Sequence, residues 1–160
     1  METPFTSQGT FAKIKTNRLC LFDADFIKYI VTSRKAKLLK ENSSMTIENI
    51  CADWYNENIR SKFDDLVLFC FSGKSHNTFR NHIAFQKQYK GNRTETDENY
   101  PGEKNDQYKV IEYFQNNHLS LLFPDLEADD IVSALQDPIN TYIYSQDKDI
   151  AQIPGWHYSS

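Results

Sequence analysis

Long apolar runs are absent from this sequence. No stretch approaches the ~18 consecutive apolar residues of a membrane-spanning helix. The first 18 residues lack the apolar centre of a secretion signal. Cysteine is scarce: Cys20, Cys51 and Cys70 are an odd, widely spaced set. They exclude a disulfide framework and a zinc site, and read as buried thiols in a reducing compartment. Glycine is scarce too, and Gly9, Gly73, Gly91, Gly102 and Gly155 form no phosphate-binding loop. An excess of positive charge is also missing, since 18 Lys and Arg face 22 Asp and Glu, net −4. That excludes a uniformly basic nucleic-acid coat and a basic membrane binder. It leaves room for a nucleic-acid enzyme with a local basic face and an acidic metal site.

What is present is a polar globular chain of one-domain size. It has 160 residues, 39% of them hydrophobic and 25% charged. Residues 1–17 are polar and irregular and read as an N-terminal arm, with a single domain over 18–160. Leu19–Phe22 is a short apolar run closing on Asp23-Ala24-Asp25, a buried strand with carboxylates at its C-terminal end. A helix follows from Phe26 to Leu39, with a basic second half (Arg34, Lys35, Lys37, Lys40). Ile47, Ile50, Cys51, Trp54, Tyr55 and Ile59 form an apolar stripe at helical spacing and predict a helix over Thr46–Phe63, with Asn58 alone breaking the stripe. Trp54 and Tyr55 are core residues on that pattern. Asp65–Phe71 reads as a fully buried strand. Gln107–His118 predicts an amphipathic helix, Leu119–Phe123 a strand, Glu127–Leu135 a helix and Thr141–Tyr144 a strand. This alternation predicts an α/β fold with a mainly parallel central sheet flanked by helices. Residues 94–106 have no apolar periodicity and read as a long exposed loop.

Acidic residues are missing from Leu66 to Thr94. That window holds Lys74, Arg80, Lys87, Lys90 and Arg93, interleaved with Phe79, Phe85 and Tyr89. Cations for phosphates and flat rings for bases suit single-stranded or flap-like nucleic acid. A solvated basic face whose rings are core accounts for the composition equally well. The opposite cluster lies downstream: Asp125, Glu127, Asp129, Asp130, Asp137, Asp147 and Asp149 stand against one Lys148. In a parallel α/β sheet the C-terminal strand ends share one edge, so Asp23, Glu127–Asp130 and Asp147–Asp149 converge there. Converging carboxylates repel unless a cation joins them. Hard oxygen ligands in this number suit one or two Mg²⁺ or Mn²⁺ ions, which support phosphodiester hydrolysis. Helix-dipole stabilisation explains Glu127–Asp130 but not three groups at strand ends. Asp25 reads as the N-cap of the following helix rather than a ligand. Cys70 lies in a buried strand without a nearby His, which argues against a nucleophile. His76, His82, His118 and His157 show no ligand spacing. Trp156 and Tyr158 read as closing the last strand and carry no assigned function.

Phe22-Asp23-Ala24-Asp25, Thr78-Phe79-Arg80 with Tyr89-Lys90-Gly91-Asn92-Arg93, Glu127-Ala128-Asp129-Asp130-Ile131 and Ser145-Gln146-Asp147-Lys148-Asp149 occur in this order. In this the chain resembles the 5′-3′ exonuclease and flap endonuclease family, with a PIN-like, resolvase-like core, over nearly its whole length. The resemblance is to bacteriophage members and to the exonuclease domain of bacterial DNA polymerase I. It implies a Mg²⁺- or Mn²⁺-dependent nuclease acting on DNA with a free 5′ end, flap or single strand, in phage replication or recombination in the bacterial cytoplasm. By the same resemblance Asp23, Glu127, Asp129, Asp130, Asp147 and Asp149 hold metal. Arg80, Lys90 and Arg93 act on the scissile phosphate, Tyr89 stacks on a base, and Lys74 and Lys87 join them on the nucleic acid. The segment 74–106 forms a basic arch.

Two departures accompany the resemblance. The family carries an Asp at the end of the second strand, where this sequence reads Phe71-Ser72-Gly73-Lys74. Family members also continue for about 100 residues past the last motif, a further domain half in size. The chain is therefore expected to be the N-terminal part of such an enzyme, one half of a split enzyme that works with a separate C-terminal half or replication proteins, or a shortened relative. A DNA-binding module without cleavage and a nuclease for single-stranded RNA are the alternatives.

Overall fold

Short apolar and aromatic runs form five strands among the residues described by the structure, a computed structural model covering 13–73 and 100–158. They are β1 (Leu19–Asp23), β2 (Val67–Ser72), β3 (Ser120–Phe123), β4 (Thr141–Tyr144) and β5 (His157–Tyr158). All pairings are parallel, in the order β3-β2-β1-β4-β5. The predicted α/β class, a parallel sheet flanked by helices, is what the chain adopts. β1 is central, and its register sets Asp23 beside Cys70 and Phe22 beside Tyr144.

The two-residue period of the strands divides the core. Cys20, Phe22, Phe69 and Phe71 face one way, onto α1 (Asp25–Lys40), α2 (Ile47–Tyr55) and α3 (Glu103–Asn117). Phe22 lies at the middle of this layer, stacked on Tyr144 with ring centroids 4.5 Å apart and edge-on to Trp54 at 6.4 Å. Leu21, Leu68, Cys70 and Ile143 face the other way, onto Ala128, Ile131 and Val132 of α4 (Ala128–Leu135) and onto Ile150. Both faces of the sheet are thus covered, as parallel sheets require. The three cysteines are free and buried, and burial pushes each thiol up to about 12.

Several elements differ from the sequence pattern. α2 starts where expected, because Thr46 caps it by accepting the Asn49 N–H at 3.3 Å. It then widens into a π turn over Asn56–Arg60. That turn takes up one extra residue: Asn58 donates its side-chain amide to Trp54 O at 3.0 Å, and Ile59 rejoins the core. α3 begins at Glu103, so residues 103–106 are helical and not loop. Gly102, at φ 88, turns the chain into it, and the Tyr100 hydroxyl donates to Asp106 at 2.9 Å. β5 is an edge strand of two residues that extends the sheet past the strand expected to be last. Residues 14–17 are pinned beneath β2, where Asp65 accepts the Thr16 N–H at 2.8 Å, the Asn17 N–H at 2.9 Å and the Tyr142 hydroxyl at 3.2 Å. No helix among the described residues is long and apolar enough to cross a membrane.

Candidate functional site

The strand order places β2 and β3 on one side of β1 and β4 and β5 on the other. Connections leave β1 and β4 in opposite directions, which opens a crevice at their C-terminal ends. Asp23 ends β1 there and is nearly buried, at 9% exposure. The Ser145 hydroxyl, just past β4, donates to Asp23 Oδ2 at 2.7 Å. The same oxygen of Ser145 accepts the Asp147 N–H at 2.9 Å. Burial holds the Asp23 carboxyl up at about 6, reinforced by the nearby charges of Asp25 and Asp147 and opposed by the Ser145 hydrogen bond.

Asp25 is not the N-cap of α1. Ala24 occupies that position, at φ −100 and ψ 0, and Asp25 is the first helical residue. Its carboxylate instead reaches across to the end of β2. There it accepts the Ser72 N–H at 3.0 Å and the Ser72 hydroxyl, and it pairs with Lys28 at 3.4 Å. Ser72 Oγ in turn accepts the Ala128 N–H at 2.8 Å, at the start of α4. One serine therefore ties the start of α1 to the first turn of α4.

That first turn carries the second acid group. Glu127 is the N-cap of α4, and Asp130 accepts the Glu127 N–H at 3.1 Å, the return half of a capping box. Capping thus explains why Glu127 and Asp130 face the same way. Glu127 is buried; Asp129 and Asp130 are half-buried. Each of the three offers a carboxylate oxygen, and these oxygens all lie within 4.8 Å of one another. Gly73 brings β2 close against the turn before α4: a Cβ there would lie 2.4 Å from Pro124 O and 2.5 Å from Phe123 O.

The structure therefore gathers the predicted acids in two sets. Asp23 and Asp147 meet at Ser145 in the β1–β4 crevice, and Glu127, Asp129 and Asp130 share the start of α4, which Ser72 ties to Asp25. Asp147 also caps the short 3-10 turn Lys148–Gln152 by accepting the Asp149 N–H at 2.9 Å. Asp149 is exposed, and its backbone rather than its carboxylate makes that contact. Lys74, Arg80, Lys87, Tyr89, Lys90 and Arg93 lie outside the described residues. Ser72 and Ser145 carry no sequence signal as site residues, because their role depends on which strand ends adjoin. The donor set fits a hard divalent cation: three carboxylate oxygens in one small volume, without sulfur or imidazole.

Comparisons with known proteins agree with this fold. A family model for the 5′-3′ exonuclease N-terminal, resolvase-like domain matches residues 22–157. A solved structure of bacteriophage T5 5′-exonuclease with bound zinc superposes with a TM-score of 0.56 at 15% identity, over 86% of this chain and 52% of that one. A second structure of the T5 protein, co-crystallized with metal ions, gives a TM-score of 0.47 at 19% identity, over 83% of this chain and 49% of that one. The chain thus spans about half the length of these structures. No curated protein matches the sequence. With the family model covering residues 22–157, the chain belongs to the 5′-3′ exonuclease family, as its N-terminal resolvase-like domain.

Proposed function

We propose that this chain hydrolyses DNA phosphodiester bonds from free 5′ ends or flaps, using Mg²⁺ or Mn²⁺ held by Glu127, Asp129 and Asp130, with Asp23 and Asp147 beside them. The observation that carries this reading is the packing of three carboxylate oxygens within 4.8 Å at the C-terminal edge of a parallel sheet. One or two divalent ions there supply Lewis-acid stabilisation of charge on the phosphate and a more acidic water. Burial raises the Asp23 carboxyl to about 6 in the metal-free protein, a nearby divalent cation would favour its charged form, and Ser145 fixes its orientation. Ser72 keeps Asp25 and the start of α4 in one register, so the acids do not drift apart under mutual repulsion. Lys90, Arg93 and Arg80 bind and polarise the phosphate, Tyr89 stacks on a terminal base, and Lys74 and Lys87 hold the backbone. Asp149 joins the acids on the solvent side. The setting is phage DNA replication or recombination in the bacterial cytoplasm.

A cleavage assay on 5′-flap, single-stranded and duplex DNA, with Mg²⁺ or Mn²⁺, tests this. Metal-dependent products that vanish in Asp130→Ala are expected; products formed at the normal rate by Asp130→Ala contradict it. A second reading, a binding module that holds DNA without cutting, draws on Ser72. Its hydroxyl stands at the strand end where the family carries a carboxylate. DNA retained in a gel shift, with no products under any metal, would favour it.

A further inference from the structure

The sheet has two edges, and they differ. β5 closes one of them with two residues. β3 closes the other with four, and it pairs with β2 in unbroken register from Phe69↔Ser120 to Ser72↔Phe123. Natural edge strands are blunted by charge, proline, a bulge or a covering element, because a row of unpaired backbone groups recruits another strand. Between Leu119 and Phe123 this edge has no charge, no proline and no bulge. Leu119 O accepts the Phe69 N–H at 2.9 Å. In the parallel register Leu119, Leu121 and Phe123 therefore turn their backbone groups toward β2, and Ser120 and Leu122 turn theirs outward. Those outward N–H and C=O groups have no backbone partner among the described residues. The side chains alternate as well. Leu122 and the Ser120 hydroxyl, which donates to Phe114 O at 3.0 Å, belong to the α3 face. Leu119, Leu121 and Phe123 fall on the α4 face. There α4 packs on β1 and β2, and Leu119 stays 49% and Phe123 45% exposed.

We infer that this edge pairs with the same edge of a second copy of the chain, β3 against β3 in antiparallel sense, to give a two-fold dimer with one continuous sheet. The edge is complementary to itself. A two-fold axis through Leu121, perpendicular to the sheet, sets Ser120 opposite Leu122 of the second copy, and Leu122 opposite its Ser120. These are the residues whose N–H and C=O groups face outward, so each pair exchanges two hydrogen bonds and every outward group finds a partner. The same axis sets Leu121 opposite Leu121 and Leu119 opposite Phe123, and it keeps all of them on the α4 face. The half-exposed Leu119 and Phe123 thus meet twice, once at each end of the pair, as an aliphatic–aromatic cross-strand contact. Scattered apolar side chains on a surface need no explanation. Here free backbone groups, matching side chains and missing gatekeepers coincide on one short strand. Another extended segment would satisfy the backbone equally well; the match of Leu119 with Phe123 selects a second copy. Antiparallel pairing points the two carboxylate edges in opposite directions, so association stands apart from the nuclease reading.

Sedimentation equilibrium of the full chain in EDTA, across a concentration series, tests this. The wild type should show a reversible monomer–dimer equilibrium. Leu119→Lys/Phe123→Lys puts like charges opposite each other at both ends of the pair and should raise the dimer Kd about tenfold or more. Leu119→Lys/Phe123→Glu loses the same apolar contacts but sets opposite charges together, and should recover most of that affinity. Both exchanges fall at half-exposed positions, and urea unfolding verifies that each variant keeps its fold. Leu121→Cys gives a second readout. Its pair lies on the axis, in the non-hydrogen-bonded position, where Cα atoms stand ~4.5 Å apart and within disulfide reach. Mild oxidation should convert it to a covalent dimer on a non-reducing gel. Phe123→Cys is more exposed but lies far from its own counterpart, and should stay uncrosslinked under the same treatment. The wild type, whose cysteines are all buried, is the control. A wild type that is monomeric at every concentration overturns the inference. So does a dimer with the same Kd in both double variants, or cross-linking at position 123 in preference to 121.

Discussion

Ser145 donates its hydroxyl to Asp23 across 2.7 Å and so joins the ends of β4 and β1 at the crevice of the sheet. The bond orients a carboxylate that is nearly buried and held up at about 6, against an ordinary 3.8. In the unfolded chain Asp23 loses its proton near 3.8; in the folded one it keeps it until about 6. The folded state therefore binds the proton more tightly. Below about pH 4 both states are protonated and no penalty exists. As pH rises from about 4 to about 6 the penalty grows, and above it amounts to something on the order of 3 kcal/mol. Asp23→Asn removes the charge and keeps an acceptor for Ser145. In EDTA at pH 7.5 this variant should unfold at higher urea than the wild type, and the difference should shrink toward pH 4. A variant less stable than wild type at pH 7.5 would contradict this account of Asp23.

Ser72→Ala removes the hydroxyl that reaches Asp25 and accepts the Ala128 N–H. Asp25 keeps the Ser72 N–H and Lys28, but the Ala128 N–H is left without its acceptor, at about 1–3 kcal/mol. Urea unfolding should register a loss in that range, and Mn²⁺ affinity should fall because the start of α4 loses its tie to Asp25. Unchanged stability would show that Ser72 is not the link between β2 and α4.

Gly73→Ala sets a methyl group against backbone carbonyls at 2.4 and 2.5 Å, which cannot yield as a flexible side chain would. Overpacking of this kind costs about 1–3 kcal/mol. Thermal unfolding should show the loss, and displacement of the turn before Glu127 should weaken Mn²⁺ binding in parallel. A variant as stable as wild type would mean that the turn relaxes freely.

Cys20, Cys51 and Cys70 are buried with thiols pushed up to about 12. Thiolate is the reactive form, so a disulfide reagent at pH 8 should leave all three unmodified in the native chain and label all three in denaturant. Rapid native labelling of any one would contradict the packing described around it.

Apolar runs made the fold legible in the sequence. Leu19–Phe22, the strand before Ser72 and Thr141–Tyr144 alternate with helical stripes, and that alternation implies a parallel sheet. The convergence of Asp23 with Asp147 follows from the same topology, since both stand after strand ends. Other features depend on contacts that no local pattern encodes. The π turn after Tyr55 depends on Asn58 bonding back to Trp54. The start of α3 depends on Gly102 at positive φ and on a buried Glu103, amid residues that are polar in sequence. β5 has two residues and is held by its neighbour. Asp25 has the residue type of an N-cap, but Ala24 holds that position and frees Asp25 to bond Ser72. Ser72 and Ser145 become site residues only once strand order sets them beside carboxylates.

The central claim is that the acids at the start of α4 bind a divalent cation. Calorimetric titration of Mn²⁺ into the wild type and into Asp129→Asn/Asp130→Asn, both first stripped of metal, tests it most directly. Saturable binding by the wild type, weakened by on the order of a hundredfold in the double variant while its fold is retained, is the predicted result. Equal binding by both proteins, or none by the wild type, would contradict it.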